Sequence, residues 1–149
     1  MDCGYRLHAR LGYKVSRLAR LMETQLEEMI SPLGITRLMW CILSGVGLEN
    51  VKTPSALANY VGIARSAVSR ALRNMEEMDL IRRCGVDGDG RGVEIRLTQK
   101  GRAVMEQCRP LVEQLNDQFT AKIAKDDLEA VLRLIDALST GETRELVRI

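Results

Sequence analysis

Five side chains at positions 65, 66, 69, 70 and 73 form the densest set of groups able to do chemistry in this 149-residue chain. They are Arg65, Ser66, Ser69, Arg70 and Arg73, with no acid among them. On a helix turning about 100° per residue, all five fall within about 140° of arc. The opposite arc carries Ala67, Val68, Ala71, Leu72, Met75 and Met78. One face is thus a core anchor, and the other presents guanidinium forks and short hydroxyls. Such a face suits a DNA major groove, where arginine bonds the O6/N7 pair of guanine bidentately and serine reaches phosphates or base edges. An ordinary solvated amphipathic helix has the same composition, so the neighbouring elements must decide between the two.

The elements that would hold this face are legible upstream. Thr53-Pro54 is a helix start: threonine accepts an orphan N–H as N-cap, and proline is pre-shaped for the first helical position. A short helix over 55–60 follows, ended by Gly62, and a second begins at once, over 64–78. Two short helices across a tight glycine-containing turn describe a helix-turn-helix, with the polar face on the second, reading helix. Ser55, at the start of the first helix, joins the DNA-facing set.

Downstream, residues 80–86 and 93–97 read as two strands around Asp87-Gly88-Asp89-Gly90-Arg91-Gly92, whose three glycines permit the turns of a hairpin. This is a wing. Arg91 at its tip can enter a minor groove, where narrow width concentrates negative potential, and Asp89 is expected to hold an arginine in position. A flexible hairpin with incidental charges is the alternative.

Longer helices flank this lobe. Leu7, Leu11, Val15, Leu18, Met22, Leu26 and Met29 recur at steps of three and four, predicting one helix over 7–30 that Pro32 and Gly34 end. Residues 36–47 are apolar nearly all round, as in a buried helix, and Thr36 can cap it. Thr98 can cap a long helix through Ile123, within which Pro110 is expected to make a kink or a boundary. A last helix is expected over about 126–138, closed by Gly141.

Composition narrows the function classes. The chain is 46% hydrophobic and 28% charged, ordinary globular material. Residues 52–102 hold ten Lys/Arg against six acids, a local +4, which leaves −2 for the rest of a chain whose total is +2. A basic centre between mildly acidic flanks fits a nucleic-acid reader with separate assembly helices. The single histidine, His8, and four scattered cysteines offer no clustered metal ligands. With no phosphate-binding glycine loop or nucleophile motif either, no enzyme, metal or cofactor is expected. A winged helix used for protein contact is the other rival, but an interface centre would be depleted in charge, against Arg65, Arg70 and Arg73. No apolar run approaches the ~20 residues of a membrane span, and the first residues lack a signal-peptide pattern. A cytoplasmic protein with reduced thiols and no membrane partner is expected.

Several motifs together carry a family resemblance. Leu57-Ala58-x-x-Val61-Gly62-Ile63-x-x-Ser66-x-Val68-Ser69-Arg70-x-Leu72 is similar to a bacterial helix-turn-helix repressor. With Leu80-Ile81-x-Arg83, Asp89-x-Arg91 and Leu97-Thr98-x-x-Gly101, the chain resembles the MarR (multiple antibiotic resistance regulator) family across roughly residues 7–138. One departure is Gly90, where the family often has an arginine. The resemblance implies a mainly α fold with a small β-hairpin wing, in a single MarR-like domain over 1–149. Residues 1–34 and 102–149 would be dimerisation helices, and 35–101 the winged helix-turn-helix lobe. It implies a homodimer on a palindromic double-stranded DNA operator, a repressor released by a small aromatic or phenolic effector. The effector pocket would lie near His8, Arg17, Met39 and Trp40. A peroxide-sensing branch carries a reactive cysteine near its first helix, which Cys3 and Tyr5 echo. Cys41 and Cys108 read as small core residues, and Cys84 is left open. The tail over 142–149 has no counterpart in the resemblance.

Overall fold

The computed structural model describes residues 4–85, 92–142, 144–146 and 148–149. Six α-helices and one antiparallel hairpin follow each other along them: α1 (Leu11–Ile30), α2 (Arg37–Leu48), α3 (Pro54–Val61), α4 (Arg65–Glu77), β1 (Ile81–Gly85), β2 (Val93–Leu97), α5 (Gln99–Thr120) and α6 (Lys125–Ser139). This is the mainly α, winged arrangement expected from the sequence.

Threonine caps set three of the starts. Thr36 Oγ1 accepts the Met39 N–H at 3.3 Å, Thr53 Oγ1 the Ala56 N–H at 3.2 Å, and Thr98 Oγ1 the Gly101 N–H at 2.9 Å. Each satisfies one of the donors a helix start leaves orphaned. Gly34 (φ +77°) and Gly62 (φ +81°) end the preceding turns in the left-handed region that glycine enters without steric cost.

Two boundaries differ from expectation. The first helix starts at Leu11 instead of 7, because Leu7–Ala9 is a single 3-10 turn and Arg10 is extended, at φ −79° and ψ 138°. No side chain caps either start, so the apolar stripe runs across a break that periodicity alone does not reveal. Pro110 makes no boundary: α5 runs through it from Gln99 to Thr120. Pro110 is exposed, so the Glu106 carbonyl it leaves without a helical donor can bond water.

The core sits in the lobe. Ile42 and Leu43 of α2, Leu57 of α3, Val68, Leu72 and Met75 of α4, Ile81 and Ile95 of the hairpin, and Cys108 of α5 are all buried in one cluster. α1 contributes Ile30 from its end, and α6 buries no residue. Strand pairing sets Ile81 opposite Leu97, Arg83 opposite Ile95 and Gly85 opposite Val93. The Ile95 N–H donates to the Lys52 carbonyl at 2.7 Å, tying the hairpin to the segment that enters α3.

Among the described residues no single helix is long and apolar enough to cross a membrane. Only Leu11–Leu33 together with Arg37–Leu48 meets that requirement, as a pair bent by 75°. Much of α2 is lobe core, which explains its apolar composition.

Candidate nucleic-acid interface

The turn between α3 and α4 is built by one carbonyl. Ala58 C=O accepts from Gly62 N–H at 2.9 Å and from Ile63 N–H at 3.2 Å, so the chain reverses within two residues and α4 begins after Ala64. On α4, Val68, Leu72 and Met75 are fully buried, which fixes the rotation of the helix about its axis. Each such side chain contributes about 1.5–3 kcal/mol. Arg65, Ser66, Arg70 and Arg73 are consequently exposed on the other face, with Ser69 half-buried among them.

Ser55, Arg65 and Ser69 line one cleft of about 500 Å³ with Thr53, Arg83 and Val93. The structure thus joins the first turn of α3, the start of α4 and the base of the hairpin on one side of the lobe. Ser66, Arg70 and Arg73 lie on the open face of α4 outside that cleft. Arg91 and Asp89 fall outside the described residues, as does Cys3.

The charges around this face divide into two groups. Arg83 meets Glu76 at 3.5 Å, and its own N–H donates to the same carboxylate at 3.4 Å, clasping β1 to the end of α4. Arg82 lies 3.9 Å from Asp79. Glu94 holds Arg96 at 3.0 Å and Lys52 at 3.2 Å, and those two cations, Arg96 first, keep its carboxyl below the usual carboxylate range. None of the ion pairs among the described residues engages Arg65, Arg70 or Arg73. Arg82, Arg83 and Arg96 of the hairpin are thus paired with carboxylates, whereas no ion pair among the described residues takes up the α4 arginines.

Arg83, which the sequence offers only as part of a family motif and not in the DNA-facing set, is a cleft residue. The adjacent pair Arg82-Arg83 at the start of a strand was the available hint, but which of the two turns toward α3 depends on how the hairpin packs. None of the main clefts brings together the four residues implied for an effector pocket. His8 is exposed and its ring centroid lies 4.6 Å from that of Tyr13, and Arg17 lines a shallow cleft made by α1 alone. Met39 is a core residue, and Trp40 is half-buried against the core. Burial pushes the Cys41 and Cys108 thiols up, the former against a lowering by the Arg37 charge, so both stay protonated and unreactive near neutral pH. Cys84 is half-buried on β1.

Comparison with known proteins extends this geometry. A sequence model of the MarR family matches residues 33–92, from the turn before α2 through β1 and up to the start of β2. Among solved structures, a mutant of MarR from E. coli in complex with operator DNA superposes with a TM-score of 0.78 at 26% identity, covering 86% of this chain and 92% of that one. A MarR family protein of Mycobacterium tuberculosis in complex with salicylic acid superposes with a TM-score of 0.66 at 22% identity, covering 87% of this chain and 96% of that one. An organohalide-sensing transcriptional regulator, free of ligand, reaches a TM-score of 0.81 at 18% identity over 97% of this chain and 90% of that one. The family match over the helix-turn-helix and the first hairpin strand, joined to this likeness in fold, makes residues 33–92 a MarR-family winged helix-turn-helix segment within a chain of the same overall fold.

Proposed function

We propose that this protein is a sequence-specific regulator that binds a palindromic double-stranded DNA operator as a homodimer, represses from it, and leaves it when a small aromatic or phenolic effector binds. The observation that carries the reading is the α4 face: three arginines outside every ion pair among the described residues, on a helix whose buried side locks its rotation. Arg70 and Arg73 are the base readers, Arg65, Ser55, Ser66 and Ser69 hold phosphates or base edges, and Arg91, supported by Asp89, reaches the minor groove. The E. coli relative, of the same fold, was crystallised on operator DNA, which supports this assignment.

Residues 35–101 form the reading lobe, and 1–34 with 102–149 join two copies. The apolar residues Leu11, Val15 and Leu18 of α1 and Leu132, Ile135 and Leu138 of α6 are exposed in the single chain and suit burial against a second copy. For the effector, a recess of about 270 Å³ lies where α1, α2 and α5 meet. Met22, Leu26, Val112 and Leu115 form its apolar wall, and at its edge Arg37 meets Glu23 at 2.8 Å. It adjoins both the assembly helices and the lobe, so a ligand there could favour one spacing of the reading helices over another. A tenfold loss of operator affinity needs only about 1.4 kcal/mol of such differential binding.

Selection of duplexes from a random pool tests the reading. We expect an enriched pseudo-palindrome whose half-site centres lie about one helical turn, ~10 bp, apart or a small multiple of it. Enrichment of asymmetric sites only, or of none, would overturn it.

A further inference from the structure

Beyond α6 the chain returns to the reading head. α6 ends at Ser139, the Glu142 N–H donates back to the Ser139 carbonyl at 3.2 Å, and Gly141 takes a left-handed φ of +82° that redirects the backbone. Leu146 then pairs with Ile63 in an isolated parallel β-bridge, and its carbonyl accepts the Ala64 N–H at 2.6 Å. Ile63 and Ala64 are the link between α3 and α4, and Ala64 is the N-cap of α4. Glu142, Arg144 and Glu145 line a cleft of about 580 Å³ in common with Ser55 and Arg65, two residues of the DNA-facing set.

We propose that residues 144–146 are a strap that positions the recognition helix, with Leu146 as its positioning residue. The inference rests on the DNA-reading assignment above and deepens it. α2, α3 and α5 each begin with a threonine whose hydroxyl secures the first turn, whereas α4 begins with an alanine and no side-chain cap. In a capping box, the side chain three residues into the helix reaches back to the N-cap N–H. Here that residue is Ala67, which cannot, and the Leu146 carbonyl takes the N–H instead. The Leu146 side chain is 55% exposed, so backbone pairing holds the strap and apolar burial adds little. Arg65 is the next residue along, so the strap fixes the end of α4 from which the polar face starts. A base-reading arginine needs near-ideal placement to bond guanine bidentately, while attraction to phosphate tolerates small shifts. Loss of the strap therefore lowers discrimination more than general DNA affinity. The strap is also continuous with α6, so the helix offered to a second copy and the start of the reading helix are joined by a few residues of backbone.

Two substitutions in the full chain test this. Leu146→Pro removes the N–H a parallel bridge requires and restrains the residue before it, while Leu146→Thr keeps the backbone pairing with a strand-favouring residue. The probes are the duplex that wild type enriches from a random pool and a random duplex of equal length. For Leu146→Pro we expect operator affinity to fall about three- to tenfold, the worth of one or two hydrogen bonds. Random-duplex affinity, dimer mass and melting temperature should stay unchanged, and amide exchange at Ala64 should speed up. Leu146→Thr should match wild type throughout. Operator binding by Leu146→Pro as tight as wild type overturns the strap, and tighter binding overturns it in favour of an inhibitory tail. A parallel loss on both duplexes with a shallower salt dependence overturns it in favour of a phosphate contact. Failure of wild type to enrich any site overturns the DNA-reading assignment together with this one, whereas unchanged Ala64 exchange in Leu146→Pro overturns the strap alone.

Discussion

Arg70 stands one turn beyond Ser66 on the exposed side of α4, and its contrast with Arg83 defines what the residue scale contributes. Both are guanidinium groups on the same side of the lobe, yet Arg83 is committed twice to Glu76, through its side chain and its backbone N–H. An exposed ion pair of that kind is worth at most about 1 kcal/mol to stability, so its main effect is orientation. It fixes β1 against α4 and leaves the arginines of α4 as uncommitted donors. If Arg70 reads a base as proposed, replacing it by alanine should cost about 1–3 kcal/mol on the operator and relax base preference at one position, the loss expected for a bidentate contact. Competition binding with single-base operator variants measures this. An equal loss on operator and random duplex would make Arg70 a phosphate contact only. The thiols take no part in this chemistry at Cys41 and Cys108, where burial holds the protonated form.

At the scale of elements, the junction of hairpin and α5 shows how tightly the wing is mounted. Thr98 caps α5 through the Gly101 N–H, and the Thr98 N–H donates to the Leu80 carbonyl at 3.1 Å. That bond draws the first turn of α5 so close to the chain that a Cβ on Gly101 would run into the Leu80 carbonyl. Gly101→Ala gains up to about 1 kcal/mol of helix propensity. It also meets backbone that cannot swing aside, and overpacking of this kind costs about 1–3 kcal/mol. The clash wins, so chemical denaturation should show net destabilisation; a variant as stable as wild type would contradict the close approach. The same elements show what could be read from sequence. Thr36, Thr53 and Thr98, with Gly62, announced their helices because caps and left-handed glycines are local chemistry. The exposed polar face of α4 was legible for the same reason: Val68, Leu72 and Met75 set the rotation of the helix, and the exposure of its arginines follows from it. The break at Arg10 was not legible, since apolar spacing continues across it. Nor was the place of Arg83 in the cleft, which hairpin packing decides, or the docking of Leu146 on Ile63, a pairing made 83 positions apart in the chain.

For the whole molecule, the decisive feature is that α6 has no fully buried residue while carrying Leu132 at 55% and Leu138 at 58% exposure. α1 carries Leu11, Val15 and Leu18 in the same condition. A single chain leaves both stripes in water, and apolar stripes of this kind mark surfaces that meet another molecule. In the proposed homodimer a second copy would cover both, and an isologous two-fold arrangement would repeat the same patch on each side. It would also place two reading lobes on one frame, which a palindrome requires. Replacing Leu132 and Leu138 together by glutamate should separate the copies without touching the lobe core, because neither residue belongs to it. Sedimentation should then report a monomer, and the lobe should still melt cooperatively. Operator affinity should fall by about 10²–10⁴, since two half-sites held by one dimer gain an effective concentration that independent monomers lack. Affinity for a single half-site should change little. A doubly substituted protein that remains dimeric would place the interface elsewhere, and a monomer that retained full operator affinity would remove the need for paired lobes.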